Sequence, residues 1–234
     1  MKDSMLIKIT AFFWDIFCLN IIFMISNVAL IVVLLFIIFH WMTLPFYVIG
    51  LFLFMLSMKA LFLTIKRRNQ VEENSILKQY ISAYFEEFRQ TAVCMIYYLL
   101  SALILGLGYI SILFMNINQP VLTSAYLLLF MLLYVHFIFG VLIRVNFVID
   151  MKGTLRLGLY CISKYPSKCL IILGITWLAI LLIQLIPEVL FLGVIPFSGY
   201  IIVKTTIKVF EELNMILIDK KEISNSEFIK KDIH

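Results

Sequence analysis

Residues 121–143 read VLTSAYLLLFMLLYVHFIFGVLI, and this apolar stretch decides how the rest of the chain is interpreted. It contains no Lys, Arg, Asp or Glu. Its length suits the ~20 residues that a helix needs to cross a hydrocarbon core of about 30 Å. Because no water is present there to bond exposed backbone groups, such a stretch has to be helical. The sequence therefore predicts a transmembrane helix at this position.

The rest of the chain repeats this pattern. Hydrophobic residues make up 63% of the 234 residues, against about 45–50% in soluble domains. We predict an all-α integral membrane protein with six transmembrane helices within residues 1–215, followed by a cytoplasmic tail, residues 216–234. The five further predicted spans are residues 21–40, 43–64, 92–113, 169–186 and 189–209.

The distribution of Lys and Arg predicts the orientation of these helices. The connections at residues 41–42, 114–120 and 187–188 contain no Lys or Arg, whereas the longer connections at residues 66–90 and 144–168 are basic. Lys and Arg accumulate in cytoplasmic loops. The sequence thus predicts a multi-pass membrane protein, with both termini and both basic loops in the cytoplasm. The net charge of +5 indicates contact with membrane lipids and not with nucleic acid.

The first basic loop predicts an amphipathic helix. Its apolar residues recur at three- and four-residue steps, while Lys78, Ser82 and Glu86 are among the residues on the opposite face. This helix could lie in the headgroup region or against the base of the bundle, or it could dock another protein. The candidates for a partner interface are Tyr80, Tyr84, Phe85, Phe88 and Arg89.

The second basic loop repeats the design with a shorter apolar stripe, formed by Leu155, Leu159 and Ile162. Gly153 and Gly158 weaken this helix, since glycine in a helix interior costs about 1 kcal/mol relative to alanine. The loop suits binding to anionic lipid or to an acidic partner equally well.

The sequence lacks recognisable motifs for catalysis. It contains no phosphate-binding glycine loop, no HExxH and no Gly-x-Ser-x-Gly, and we expect no enzymatic activity, no cofactor and no metal site. The four cysteines are interpreted as small apolar residues. Of the ionisable residues within the predicted spans, Lys59 is expected to reach the cytoplasmic surface. His136 is expected either to bond a neighbouring carbonyl as a neutral ring or to relay protons.

The sixth predicted span suggests an alternative function. Gly193, Pro196, Ser198 and Gly199 form a run that can break a helix, and broken helices expose backbone polar groups to a substrate. On this alternative the protein is a small autonomous transporter, with His136, Pro196 and Ser198 as candidates for the transport site. An ordinary kink set by packing explains the same run.

Four segments of the chain resemble the YesL family of six-span bacterial membrane proteins. They are Cys18-Leu19-Asn20, the stretch from Lys59-Ala60-Leu61-Phe62 to Arg68, the stretch YISAYFEEFRQ at residues 80–90, and Tyr165-Pro166-Ser167-Lys168. The resemblance covers roughly residues 10–215.

The resemblance implies a location in the bacterial cytoplasmic membrane and a function in carbohydrate import. Members of the family usually accompany carbohydrate-import and glycan-degrading systems. The expected function is therefore that of a non-enzymatic accessory or scaffold subunit of a carbohydrate ABC importer. Its expected partners are the permease subunits, together with the ATPase and a sugar-binding lipoprotein of the same system.

Overall fold

The computed structural model describes the backbone of residues 2–38, 40–68, 75–114, 120–190 and 192–231. It describes their side chains except at residues 2–4, 6, 113, 114 and 217–231. Within these residues the chain is helical almost throughout and contains no β-strand. The all-α class predicted from the sequence is confirmed.

Nine α-helices follow one another through the described residues. Short 3-10 turns, Trp41–Thr43 and Pro187–Leu190, come before the third and the ninth helix. The helices are α1 (Lys2–Ser26), α2 (Val28–Phe36), α3 (Leu44–Arg68), α4 (Ile76–Phe85), α5 (Phe88–Phe114), α6 (Pro120–Asn146), α7 (Met151–Lys164), α8 (Pro166–Leu185) and α9 (Val194–Lys231).

Five helical segments of the described chain are long and apolar enough to cross a membrane. They are Ile7–Ser26, Trp41–Arg68, Phe88–Ile112, Pro120–Asn146 and Pro166–Leu185. Their number and composition mark the chain as a membrane-embedded protein. The last four overlap the second to fifth predicted spans, whereas the first and sixth predicted spans differ from the structure.

The first predicted span, residues 21–40, does not coincide with a single helix. α1 is continuous from Lys2 to Ser26, and the helix is interrupted at Asn27 before α2 begins. The side-chain amide of Asn27 donates to the carbonyl of Phe23 at 2.8 Å. The apolar segment Ile7–Ser26 starts earlier than the predicted span, and it includes Asp15, whose carboxylate pairs with Arg68 at 2.7 Å.

The sixth predicted span, residues 189–209, also differs. Its first residues form a 3-10 turn, and α9 begins only at Val194. α9 is not among the five apolar segments, since it contains Lys204, Lys208 and Glu211, all exposed. The backbone of the predicted tail continues α9 as far as Lys231, and residues 232–234 lie outside the described part of the chain.

The best-buried part of the molecule lies where α3 and α6 end. Residues 56–65 of α3 and 135–145 of α6 are all buried. α4 packs on α3, and α7 packs on α6. We call this end of the bundle, where α4 and α7 lie against α3 and α6, the basal end. The loop helices predicted in both basic connections are present, and they complete the core.

We expect Gly50→Ala to lower stability, because α2 lies directly against α3 at this position. An added Cβ would lie 3.1 Å from the Cα of Leu30, and small residues are what allow membrane helices to approach closely. Overpacking of this kind costs about 1–3 kcal/mol. Thermal unfolding of the detergent-purified protein measures the effect.

The matched control is Gly174→Ala in α8, where an added Cβ meets nothing within 4 Å. Equal melting temperatures for the two variants would contradict the close approach of α2 to α3.

Candidate partner-binding surface

The inner face of α4 belongs to the core of the bundle. Tyr80 is 2% exposed and Ala83 is fully buried. The hydroxyl of Tyr80 lies 2.9 Å from the hydroxyl of Ser26 and donates to the carbonyl of Ser57 at 3.4 Å. Burial raises the pKa of Tyr80 to about 12, so its hydroxyl stays protonated. Tyr80, a candidate for a partner interface, is instead a packing residue.

The outer face of α4 carries a second apolar row, which continues into the start of α5 and which the structure leaves uncovered. Leu77, Ile81, Phe85 and Phe88 recur at four- and three-residue steps and are all exposed, Phe85 at 66%. We call these four residues the α4 surface. The rings of Phe85 and Phe88 lie 6.5 Å apart. Two of the predicted interface residues, Phe85 and Phe88, thus stand together on this surface.

The other two candidates lie beside the α4 surface. Tyr84 is half-buried against the core, and its ring packs edge-on against Phe85 at 5.4 Å. Arg89 is exposed at the start of α5, next to Phe88. The periodicity of the sequence did not distinguish the two apolar rows of α4. Only burial separates the residues that hold α4 in place from those that are open to a partner.

The turn between α4 and α5 positions the α4 surface. Glu87 in this turn has a φ of 48°, a left-handed conformation that non-glycine residues seldom adopt. Lys59 of α3 donates to the carbonyl of Ala83 at 3.2 Å and to that of Glu86 at 2.5 Å. Arg67, also of α3, forms an ion pair with the carboxylate of Glu86. The C-terminal end of α4 is therefore fixed to α3 by two cations.

The prediction that Lys59 reaches the surface is wrong. Lys59 is 2% exposed, because α4 closes over α3 at this depth and its last carbonyls accept the ammonium group. These carbonyls have no partner within their own helix. The sequence placed α4 in the right loop, but it could not show that the end of α4 would lie against the middle of the buried segment of α3.

A third cation holds the same turn from α6. Arg144 is 5% exposed and donates to the carboxylate of Glu87 at 3.1 Å, to the side chain of Gln90 at 3.2 Å and to the carbonyl of Ile149. From the sequence, Arg144 was recognised only as one of the basic residues of the second cytoplasmic loop. Its position directly after an apolar run at the end of α6 is the one signal that could have singled it out.

His136 lies against α7. Its Nε2 is 3.0 Å from the carbonyl of Leu155, and because a carbonyl only accepts, Nε2 carries the proton. An added Cβ at Gly158 would lie 2.7 Å from this nitrogen. The expected bond to a neighbouring carbonyl is confirmed, and a side chain larger than glycine at position 158 would displace the His136 ring.

Within the sixth predicted span the interruption lies before Val194, whereas Pro196, Ser198 and Gly199 lie inside the continuous helix α9. Gly193 has a φ of 96° and ends the preceding turn, and α9 is continuous from Val194. Pro196 lies in the first turn of α9, where an N–H would have no helical partner. The hydroxyl of Ser198 donates to the carbonyl of Val194 at 2.8 Å. Pro196 and Ser198 thus lie in continuous helical backbone, and His136 bonds to α7.

No protein-family model matches the sequence, and neither a curated protein nor a solved structure matches it.

We expect Arg144→Met to destabilise the bundle strongly. Removing this cation leaves the carboxylate of Glu87 without its partner in a largely buried site, and breaking a buried ion pair costs about 3–5 kcal/mol. Thermal unfolding in detergent measures the loss, and a second substitution, Glu87→Gln, should restore part of it.

Arg156→Met is the matched control, since Arg156 is exposed on α7 and exposed charges contribute ~0–1 kcal/mol. Equal melting temperatures for the two arginine variants would contradict the role assigned to Arg144.

Proposed function

We propose that this protein is a non-enzymatic accessory or scaffold subunit of the bacterial cytoplasmic membrane, associated with a carbohydrate ABC importer. The α4 surface is its docking site for a permease subunit. The observation that carries this proposal is the division of α4 into two apolar rows, one packed into the bundle and one exposed beside a fixed turn.

The rigidity of the α4 surface supports a docking role. Lys59, Arg67 and Arg144 hold the turn that follows α4, and Tyr80 holds its inner face. A surface that is ordered before binding loses little conformational entropy when a partner binds. Aromatic residues and arginine are enriched at protein interfaces, and Phe85, Phe88 and Arg89 form such a group.

The carbohydrate importer is proposed as the partner because of the resemblance to the YesL family. Permease subunits lie in the same membrane, so an exposed apolar row at the basal end can meet them without leaving the bilayer interface. Lipid headgroups are the competing neighbours of this row, and the substitution experiment below distinguishes the two.

The proposed topology places both termini in the cytoplasm, with α9 returning the chain to the basal end. The hydroxyl of Tyr165, which immediately precedes α8, donates to the carboxylate of Glu212 in α9 at 2.5 Å. The antiparallel α8 and α9 thus bring residue 212 back to the level at which α8 begins.

We expect green fluorescent protein fused to either terminus to fluoresce, and alkaline phosphatase fused to either terminus to be inactive, because both ends lie in the cytoplasm. Activity assays of the four fusions in intact bacteria make the measurement. Active phosphatase at one terminus would mean an odd number of crossings and would overturn this topology.

We expect Phe85→Glu with Phe88→Glu to release the permease without unfolding the bundle. Two carboxylates on the α4 surface would have to be desolvated in the interface, which is costly for an unpaired charge. The measurement is affinity purification from the native membrane in mild detergent, with the co-purifying subunits identified by mass spectrometry.

The control is Leu159→Glu with Tyr160→Glu, which places the same two charges on exposed positions of α7. Permease retained at wild-type yield by the Phe85 and Phe88 variant would refute docking through the α4 surface. A wild-type protein that remains alone after crosslinking would refute the accessory function. Solute flux in liposomes that contain this chain alone, lost in His136→Ala or Pro196→Ala, would then favour the autonomous transporter.

A further inference from the structure

A groove between α1, α3 and α9 contains no residue of the α4 surface in its lining. Its volume is about 560 Å³, and it is lined by residues of all three helices. Its floor is apolar, formed by Ala11, Phe12, Ile16, Leu19 and Ile65, and its charged lining residues are Lys8, Asp15 and Arg68.

Two walls of this groove are antiparallel helices that meet at two levels. The side-chain amide of Asn20 in α1 donates to the carbonyl of Leu190 just before α9, at 3.0 Å. Two turns earlier in α1, the ring of Phe12 packs edge-on against Tyr200 of α9, with ring centroids 4.9 Å apart. The two helices therefore run in opposite directions, and earlier turns of α1 meet later turns of α9.

One turn beyond the aromatic contact, each helix presents a lysine. Lys8 precedes Phe12 by four residues, and Lys204 follows Tyr200 by four, so both lysines stand at the same end of the groove. Both are exposed, and neither forms an ion pair with a carboxylate of the described residues. The ammonium group of Lys204 lies 5.8 Å from the centre of the Tyr200 ring.

The charge of the groove is positive. Asp15 is its one acidic residue among the described side chains that line it, and this carboxylate accepts from Arg68 at 2.7 Å and 3.2 Å. Lys8 in the lining, and Lys204 one helical turn beyond the lining residue Tyr200, therefore carry positive charges that no ion pair with a described carboxylate balances. An anion at this end of the groove would have these two lysines on the neighbouring turns of α1 and α9, with the apolar floor beside it.

We propose that this groove is a binding site for an anionic phospholipid, with the phosphate between Lys8 and Lys204 and an acyl chain along the apolar floor. The apolar segment of α1 begins at Ile7, so the two lysines lie at the edge of the hydrocarbon region. Basic pockets between membrane helices at this level are suited to anionic headgroups. The floor favours a lipid over a free phosphate, since only a lipid covers the apolar residues. The site is independent of the importer partnership.

The test is a titration of the full-length protein in detergent with phosphatidylglycerol and, separately, with phosphatidylcholine, read out by native mass spectrometry. Each lysine near an anionic group contributes a factor of roughly five in affinity, so Lys8→Gln with Lys204→Gln should weaken phosphatidylglycerol binding about 25-fold. Lys8→Arg with Lys204→Arg should retain binding, which excludes misfolding as the cause of the loss.

The matched control is Lys78→Gln with Lys152→Gln, which removes two exposed lysines from α4 and α7. These variants should bind phosphatidylglycerol as the wild type does. Three results would overturn the proposal: equal affinity of the wild type for the two lipids, no loss in the Lys8 and Lys204 variant, or the same loss in the control pair.

Discussion

The burial of two cations at the basal end is the constraint on which the rest of the structure depends. A charged side chain inside an apolar segment is costly unless polar groups surround it. Lys59 meets this requirement through the last carbonyls of α4, and Arg144 through the carboxylate of Glu87. Because both sets of partners belong to the end of α4 and the turn after it, α4 has to return against α3, and α5 has to begin beside α6. The left-handed conformation of Glu87 is compatible with folding because these cations hold both sides of the turn.

The same arrangement occurs twice along the chain. α3, α4 and α5 form one unit, and α6, α7 and α8 form a second, each consisting of a long helix, a loop helix packed on its buried half and a following helix. In the first unit Lys59 donates to a carbonyl of the loop helix, and in the second His136 does so. A fixed loop helix is needed in both units because a membrane helix with a buried polar side chain requires a partner from the polypeptide itself.

The sequence predicted the helical class, four of the apolar segments and both loop helices, because these depend on composition and local periodicity alone. It started the first span later than the apolar segment of α1, which includes Asp15, and the pair of this carboxylate with Arg68 is a tertiary contact that local pattern does not show. It also could not separate the buried from the exposed apolar residues of α4. Tyr80 and Phe85 have the same local sequence pattern and differ only in whether other helices cover them. Arg144 was missed for a related reason: its carboxylate partner is distant in the sequence.

The distribution of packing limits which surfaces could carry the proposed docking function. Residues 135–145 of α6 are buried, whereas most of residues 120–132 are exposed. In lipid this costs little, because acyl chains are as apolar as the side chains that they contact. For the same reason, apolar helix faces gain little by exchanging lipid for another protein, and they give an interface little specificity. Specific recognition then has to use groups that lipid tails cannot match, namely the ring edges and fixed charges at the basal end. The α4 surface has such ring edges, with the charge of Arg89 beside them, next to a turn that Lys59, Arg67 and Arg144 hold in place.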